Sequence, residues 1–166
     1  MAVSHAAVVN QVLWLTDRYG MGAADVVLQK TPATFDVSVW ELFGTLLVGA
    51  RLVIARPDGH RDPEYLAGVI EDESVTMTSF VPSMLPAFAS ALGARSAASL
   101  RAVLVAGEAL PTAVVDGFAS VCSAQLHNLY GPTEFAVHAT ARSVDGAVGG
   151  ECSDGVTGVE HEGVRA

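Results

Sequence analysis

The sequence is short of positive charge, and of lysine in particular. Nine basic residues stand against 18 acidic ones, which gives a formal net charge of −9, and Lys30 is the only lysine. A protein that binds nucleic acid presents a basic face to the phosphate backbone, so this balance argues against nucleic acid as a partner. Any chemistry that requires a lysine ammonium has a single candidate in the chain.

Cysteine and long apolar runs are scarce as well. Cys122 and Cys152 lie far apart, and neither belongs to a CxxC or Cys/His cluster. Because no signal-peptide pattern begins the chain either, we expect no disulfide framework and a cytoplasmic location. The longest uncharged run, residues 74–94, is interrupted by Pro82 and Pro86. It predicts two short buried elements and no membrane span.

Hydrophobic residues make up 51% of the chain, and helical and strand patterns alternate as far as about residue 140. Strands are predicted over residues 25–29, 51–55, 75–81, 102–106 and 125–129. Helices are predicted over residues 4–19, 36–48 and 83–92, and from Asp62 and Pro111 onward, with most of the 36–48 helix buried. Apolar strands separated by helices indicate an α/β fold with a mostly parallel sheet flanked by helices.

Beyond Arg142 this alternation ends. The last 24 residues contain six glycines and five acidic residues against one arginine, and valine is the only sizeable apolar type. Such a segment cannot fill a core. We therefore expect one domain over residues 1–141 and a Gly-rich, acidic, disordered tail over residues 142–166.

Ligands of open parallel sheets bind beyond the carboxyl ends of the strands, which directs attention to the loops there. The loop sequence YGPTE, residues 130–134, has two interpretations. In one, Gly-Pro forms a turn, Thr133 caps it and Glu134 is solvated. In the other, Gly131 lets the backbone approach a ligand, Tyr130 offers a ring to a base, Thr133 contacts a phosphate and Glu134 holds Mg²⁺.

Three segments together favour the second interpretation: FDVSVWE (35–41), LVAGEALP (104–111) and NLYGPTE (128–134). In this order they resemble the adenylation domains of nonribosomal peptide synthetases, in the adenylate-forming ligase superfamily. The resemblance covers about residues 3–141 and implies a partial adenylation (AMP-binding) domain, with part of the core of the family's large subdomain. It also implies that ATP and an amino acid give an aminoacyl-adenylate and pyrophosphate. The aminoacyl group then passes to the phosphopantetheine of a peptidyl carrier domain, with condensation domains as further partners.

The resemblance assigns roles to individual residues. Asp36 would bind the α-ammonium of the substrate, although an ordinary helix cap also explains an aspartate here. Phe35 would be an aromatic gate, or simply a core residue. Thr133 would contact the α-phosphate, and Glu134 would coordinate Mg²⁺ and offset charge in the transition state. The adenine pocket would comprise Gly107, Glu108, Ala109, Asn128, Tyr130 and Gly131.

The resemblance also implies a substrate pocket. Its lining would be Asp36, Val37, Trp40, Ser79, Leu104, Ala106, Leu129, Val137 and His138. Large apolar side chains with Ser79 and His138 beside them predict a small amino acid, serine- or threonine-like. His138 has an alternative interpretation as an outward-facing strand histidine.

Several family features do not occur in these 166 residues. They are the phosphate loop ending in Pro-Lys-Gly, the GEL segment, the ribose-binding aspartate and the C-terminal subdomain with its catalytic lysine. Lys30 belongs to the LQKTP segment before Asp36 and does not match that lysine. We expect the isolated chain to be inactive or nearly so. The alternative is a non-catalytic remnant or an interaction module with exposed apolar faces; no GxSxG motif supports a serine hydrolase.

Overall fold

The computed structural model describes residues 2–144, which form a six-stranded sheet with helices on both faces. The helices are α1 (His5–Arg18), α2 (Thr45–Leu47), α3 (Pro63–Asp72), α4 (Leu85–Ala91) and α5 (Thr112–Ala119), and a π-helical segment, Trp40–Gly44, leads directly into α2. The strands are β1 (Val26–Gln29), β2 (Arg51–Ile54), β3 (Met77–Phe80), β4 (Ala102–Val105), β5 (Gln125–Tyr130) and β6 (Thr140–Val144). None of these helices has the length and hydropathy needed to cross a membrane.

The strand order is β2-β1-β3-β4-β5-β6, with β1 to β5 parallel and β6 antiparallel to β5. This arrangement confirms the predicted α/β fold with a mostly parallel sheet. Local signals also predicted two helix starts. The Ala7 N–H donates to the Ser4 hydroxyl at 3.2 Å, and the Tyr65 N–H donates to the Asp62 carboxylate at 3.1 Å, so each side chain caps its helix.

Each face of the sheet supports its own apolar core. Helices α3, α4 and α5 cover one face, and their Leu66, Phe88 and Phe118 are fully buried there. Helix α1 and the segment Trp40–Gly44 cover the other face. Because side chains alternate along a strand, each buried strand contributes to both cores, which explains why the strands are apolar throughout.

The predicted helix over residues 36–48 differs from expectation. It is helical only from residue 38, and Phe43, Leu46 and Leu47 are more than half exposed. Only one side of this short helix faces α1 and the sheet, so apolar residues that encircle it cannot all be buried. The exposed ones line a groove of about 670 Å³ together with Val8 and Val9 of α1.

The end of the predicted domain also differs. Strand β6 pairs with β5 through Val144, so residues 142–144, which the sequence assigned to the tail, belong to the sheet. The remaining part of the predicted tail, residues 145–166, lies outside the described residues. Strand β6 was not predicted because its side chains are mixed in polarity and none is fully buried, as is usual for an edge strand.

Candidate functional site

The first and third motif loops meet at the carboxyl edge of the sheet. Thr133 Oγ1 donates a hydrogen bond of 2.6 Å to Asp36 Oδ2, across 97 residues of sequence. The helical segment after Asp36 begins at residue 38; the Val39 N–H donates to the Asp36 backbone carbonyl at 2.9 Å, and the structure gives the Asp36 carboxylate no backbone N–H of this segment as a partner. The helix-cap interpretation of Asp36 is therefore wrong, because its carboxylate accepts from the neighbouring loop.

The apolar residues predicted for the substrate pocket, except Val137, belong to one cluster on the face covered by α1. Trp40, Leu104 and Leu129 are each 1% exposed, Ala106 is buried beside them, and the partly buried Val37 packs against the same cluster. Ser79 is buried on β3, two residues from Met77, which belongs to that cluster. Because side chains alternate along a strand, Ser79 faces the same side of the sheet.

His138 is buried, at 5% exposure, in the segment between β5 and β6. Neither Nδ1 nor Nε2 has a hydrogen-bond partner among the described residues, and the same holds for the indole Nε1 of Trp40. Burial lowers the pKa of His138 to about 4, although the charge of Asp36 acts in the opposite direction. The outward-facing interpretation of His138 is therefore wrong. A neutral imidazole offers one donor and one acceptor, and neither has a partner among the described residues.

The turn before His138 is crowded. A Cβ at Gly131 would lie 2.6 Å from the Ala139 nitrogen and 2.7 Å from the His138 Cα. The Ala139 N–H donates to the Tyr130 carbonyl at 2.8 Å, which holds the two segments together. Glycine at position 131 thus makes room for its own chain, whereas the sequence suggested room for a ligand. Val137 is buried and has φ at 86°, in the left-handed region.

The second motif loop follows β4. Gly107 has φ at 90°, which favours glycine. The Glu108 carboxylate accepts bonds of 3.0 Å from both the N–H and the hydroxyl of Ser83, which ties this loop to the end of β3. Ala109 is exposed. The side chain of Glu108 is thus engaged within the protein, and only the backbone of this residue could line an adenine.

Aromatic surface is present next to this loop. Tyr130 is 72% exposed at the end of β5, and Asn128 is partly buried two residues before it. Phe35 is 63% exposed, so its interpretation as a core residue is wrong. An exposed ring at a strand end is a suitable surface for stacking a nucleobase.

A metal ion bound here would need ligands beyond residues 2–144. Glu134 is exposed next to Thr133, and within residues 2–144 no three His, Cys, Asp or Glu residues gather into a metal-binding group. Mg²⁺ commonly uses one or two carboxylates and completes its shell with water and substrate phosphates. The exposed Glu134 carboxylate, next in sequence to Thr133, fits that mode.

The sequence reasoning missed Glu41, which is fully buried. Its carboxylate accepts from the Thr31 N–H at 3.1 Å, from Thr31 Oγ1 at 2.7 Å and from the Ser79 hydroxyl. Burial raises the pKa of Glu41, while these hydrogen bonds and the charge of Lys30 oppose the rise. The sequence did contain a signal for this buried group. Glu41 directly follows Trp40 in an apolar segment, and Lys30, the only lysine, lies eleven residues before Glu41.

Lys30 is buried as well, with Nζ 4.3 Å from the centre of the Phe80 ring. Burial lowers the pKa of Lys30 to about 8, and the charge of Glu41 opposes this decrease. The lysine and the glutamate are thus opposite charges in one buried region, at the ends of β1 and β3. Neither is exposed to a ligand in solution.

An open, mostly parallel sheet whose motif loops meet at the carboxyl edge defines an α/β protein with the usual place for a ligand site. The chain belongs to the AMP-binding enzyme family, whose model matches residues 1–161. It is 52% identical over 137 residues to phosphinothricin tripeptide synthetase PhsB from Streptomyces viridochromogenes, which covers 82% of this chain and 12% of that protein. It is 47% identical over 139 residues to enterobactin synthase component F from Escherichia coli, which covers 81% of this chain and 11% of that protein.

Solved structures agree. The nonribosomal peptide synthetase FmoA3, bound to α-methyl-L-serine-AMP, superposes with a TM-score of 0.80 and 28% identity over 86% of this chain and 17% of that one. A four-domain synthetase, AB3403, bound to AMP and glycine, gives a TM-score of 0.77 and 26% identity over 87% of this chain and 11% of that one. The chain thus spans a small fraction of these relatives.

Proposed function

We propose that the chain forms the amino-acid and adenine site of an aminoacyl-adenylate-forming ligase in nonribosomal peptide synthesis. The observation that carries this proposal is the 2.6 Å bond between Thr133 and Asp36. The resemblance assigns Thr133 to the α-phosphate and Asp36 to the substrate ammonium. In an aminoacyl-adenylate the phosphate and the ammonium are joined through only a few atoms, so their two binding residues must be neighbours.

In the proposed reaction the carboxylate of the amino acid attacks the α-phosphorus of ATP, and the bond to pyrophosphate breaks. Asp36 holds the ammonium, and the Thr133 hydroxyl donates to an α-phosphate oxygen as charge develops there. Tyr130 stacks on the adenine, beside the backbone of residues 107–109. Glu134 is the residue that would hold Mg²⁺, and the ion would supply charge stabilisation to the reacting phosphate.

The substrate is a small amino acid whose side chain carries a hydroxyl. Trp40, Leu104 and Leu129 occupy space around the site, and His138 presents a neutral imidazole with two unpartnered nitrogens. A hydroxyl both donates and accepts, so it satisfies such a group, whereas a methyl does not. The α-methyl-L-serine-AMP bound to the similar FmoA3 supports this substrate class.

The isolated chain is proposed to bind an aminoacyl-adenylate without forming it. Its only lysine, Lys30, is buried against Phe80 and is not available to phosphates. In a longer synthetase, the aminoacyl group would pass to phosphopantetheine on a carrier domain, next to condensation domains. The adenylation segment is proposed to reach at least Val144, because β6 belongs to the sheet.

A second candidate function is an interaction module without ligase activity. The exposed Phe43, Leu46 and Leu47, together with Val9, form an apolar surface that supports it. The two candidates differ in the ligand, since only the first requires a small molecule at the carboxyl edge of the sheet.

Calorimetric titration distinguishes them. The probe is a non-hydrolysable seryl-adenylate analogue in which a sulfamate replaces the phosphate. We expect the wild type to bind this analogue. Tyr130→Ala should weaken binding by about tenfold because stacking is lost, and the matched control Phe135→Ala should leave the affinity unchanged. ATP–pyrophosphate exchange by the same chain is expected to be undetectable. Absence of binding, together with equal curves for both variants, contradicts the ligase proposal.

A further inference from the structure

Glu41 is a buried carboxylate that the proposed reaction does not use. It is fully buried on the segment Trp40–Gly44 and accepts two hydrogen bonds from Thr31 and one from Ser79. An ionised carboxylate in this position is stable only if donors and a counter-charge surround it. Three hydrogen bonds and the charge of Lys30 favour the ionised form, and they oppose the rise that burial causes in the pKa of Glu41.

The bonds to Glu41 determine where the hydroxyl protons of its neighbours lie. A hydroxyl has a single proton to donate. Thr31 and Ser79 both direct theirs to Oε1 of Glu41, so the 3.3 Å contact between their two oxygens has no proton of its own. Ser79 retains only lone pairs for any further partner. A substrate beside Ser79 therefore meets a hydrogen-bond acceptor.

We propose that Glu41 is a positioning residue that holds the Ser79 hydroxyl as an acceptor toward the amino-acid pocket. The pocket then selects a small side chain that donates a hydrogen bond, a hydroxyl over a methyl. This inference rests on the proposed function, which places Ser79 in the pocket. Ser79 faces the same side of the sheet as Leu104 and lies one hydrogen bond from the residue after Trp40, which supports that placement.

The test measures discrimination rather than affinity. The 166-residue chain is titrated with the seryl-adenylate analogue and with its alanyl counterpart, which lacks the hydroxyl. We expect the wild type to bind the seryl analogue about tenfold more tightly, the effect of one hydrogen bond. Ser79→Ala is expected to reduce this ratio to about two, because the His138 imidazole still favours the hydroxyl. Glu41→Gln is expected to reduce it to about three, because the amide frees the Ser79 proton.

The double variant shows whether Glu41 acts through Ser79. In a Ser79→Ala background, Glu41→Gln is expected to leave the ratio unchanged. Thr31→Ser keeps the hydroxyl and is expected to retain the wild-type ratio. Because Glu41→Gln leaves the buried Lys30 without its counter-charge, the cycle is repeated in a Lys30→Met background, where folding is less impaired.

The outcomes separate the two proposals. A wild-type ratio that persists in Glu41→Gln overturns the inference. The inference is also overturned if Glu41→Gln changes the ratio equally in the wild type and in the Ser79→Ala background. Both results leave the proposed function standing, because the analogues still bind. If the wild type binds neither analogue, the proposed function fails, and the inference that rests on it fails too.

Discussion

Acidification is expected to destabilise the fold through His138. The folded imidazole is buried, lacks partners for both nitrogens and has its pKa lowered to about 4, against 6.5 when unperturbed. Asp36 is the charged group that acts on this imidazole. Its negative charge raises the pKa of His138, but the effect of burial is larger and lowers it. Between pH 6.5 and about 4 the unfolded chain therefore binds a proton that the folded chain does not, so stability decreases as the pH decreases.

The size of the effect follows from these two pKa values. Their difference corresponds to about 3.5 kcal/mol, at about 1.4 kcal/mol per pKa unit. Because most of the titration of the unfolded chain occurs between pH 7 and pH 5, about 2 kcal/mol of stability is lost over that interval. For a domain of this size, that loss is a large fraction of the total free energy of unfolding.

Urea denaturation at pH 7 and pH 5 measures this loss of stability. The free energy of unfolding of the wild type should fall by about 2 kcal/mol more than that of His138→Gln, which has no titrating group at this position. The control His5→Gln changes an exposed histidine and should retain the wild-type pH dependence. Equal pH dependence of wild type and His138→Gln refutes the reasoning, since it means that the folded imidazole is solvated or paired.

Three further predictions concern the turn after β5 and the start of α3. Gly131→Ala places a Cβ 2.6 Å from the Ala139 nitrogen and should cost about 3 kcal/mol in urea denaturation; a cost near zero contradicts the crowding. Asp62→Ala removes a helix cap and should cost about 1 kcal/mol in thermal unfolding, while Asp62→Asn should cost little. Thr133→Val removes the donor to Asp36 and leaves that carboxylate free for an ammonium. Calorimetry without nucleotide should therefore show serine binding severalfold more tightly, and AMP should bind more weakly because it loses a hydroxyl donor. An unchanged serine affinity contradicts this prediction.

Much of the fold could be predicted because its signals are local. Apolar strands separated by capped helices indicate a parallel sheet, and Ser4 and Asp62 cap the helices that they precede. The motifs indicated the loops at the carboxyl edge. Strand order places the ends of β1 and β5 on the same edge with β3 and β4 between them, so the contact of Thr133 with Asp36 depends on how far the two loops extend and could not be predicted from the strands.

The features that were missed depend on neighbours distant in sequence. The burial of Glu41 requires hydroxyl donors from two other segments, and the exposure of Phe43 depends on which side of its helix faces α1. Gly131 is needed because residues 138 and 139 return against it. Sequence patterns record residue types along the chain and do not encode these contacts.

The most direct test of the proposed amino-acid site compares two ligands that differ by one group. The seryl-adenylate analogue and its desamino counterpart are titrated into the wild type and into Asp36→Asn, with Asp72→Asn, an exposed residue of α3, as the charge-matched control. We predict that wild type and control favour the amino form by about tenfold or more, and that Asp36→Asn loses this preference. Equal affinity of the wild type for both ligands contradicts the account.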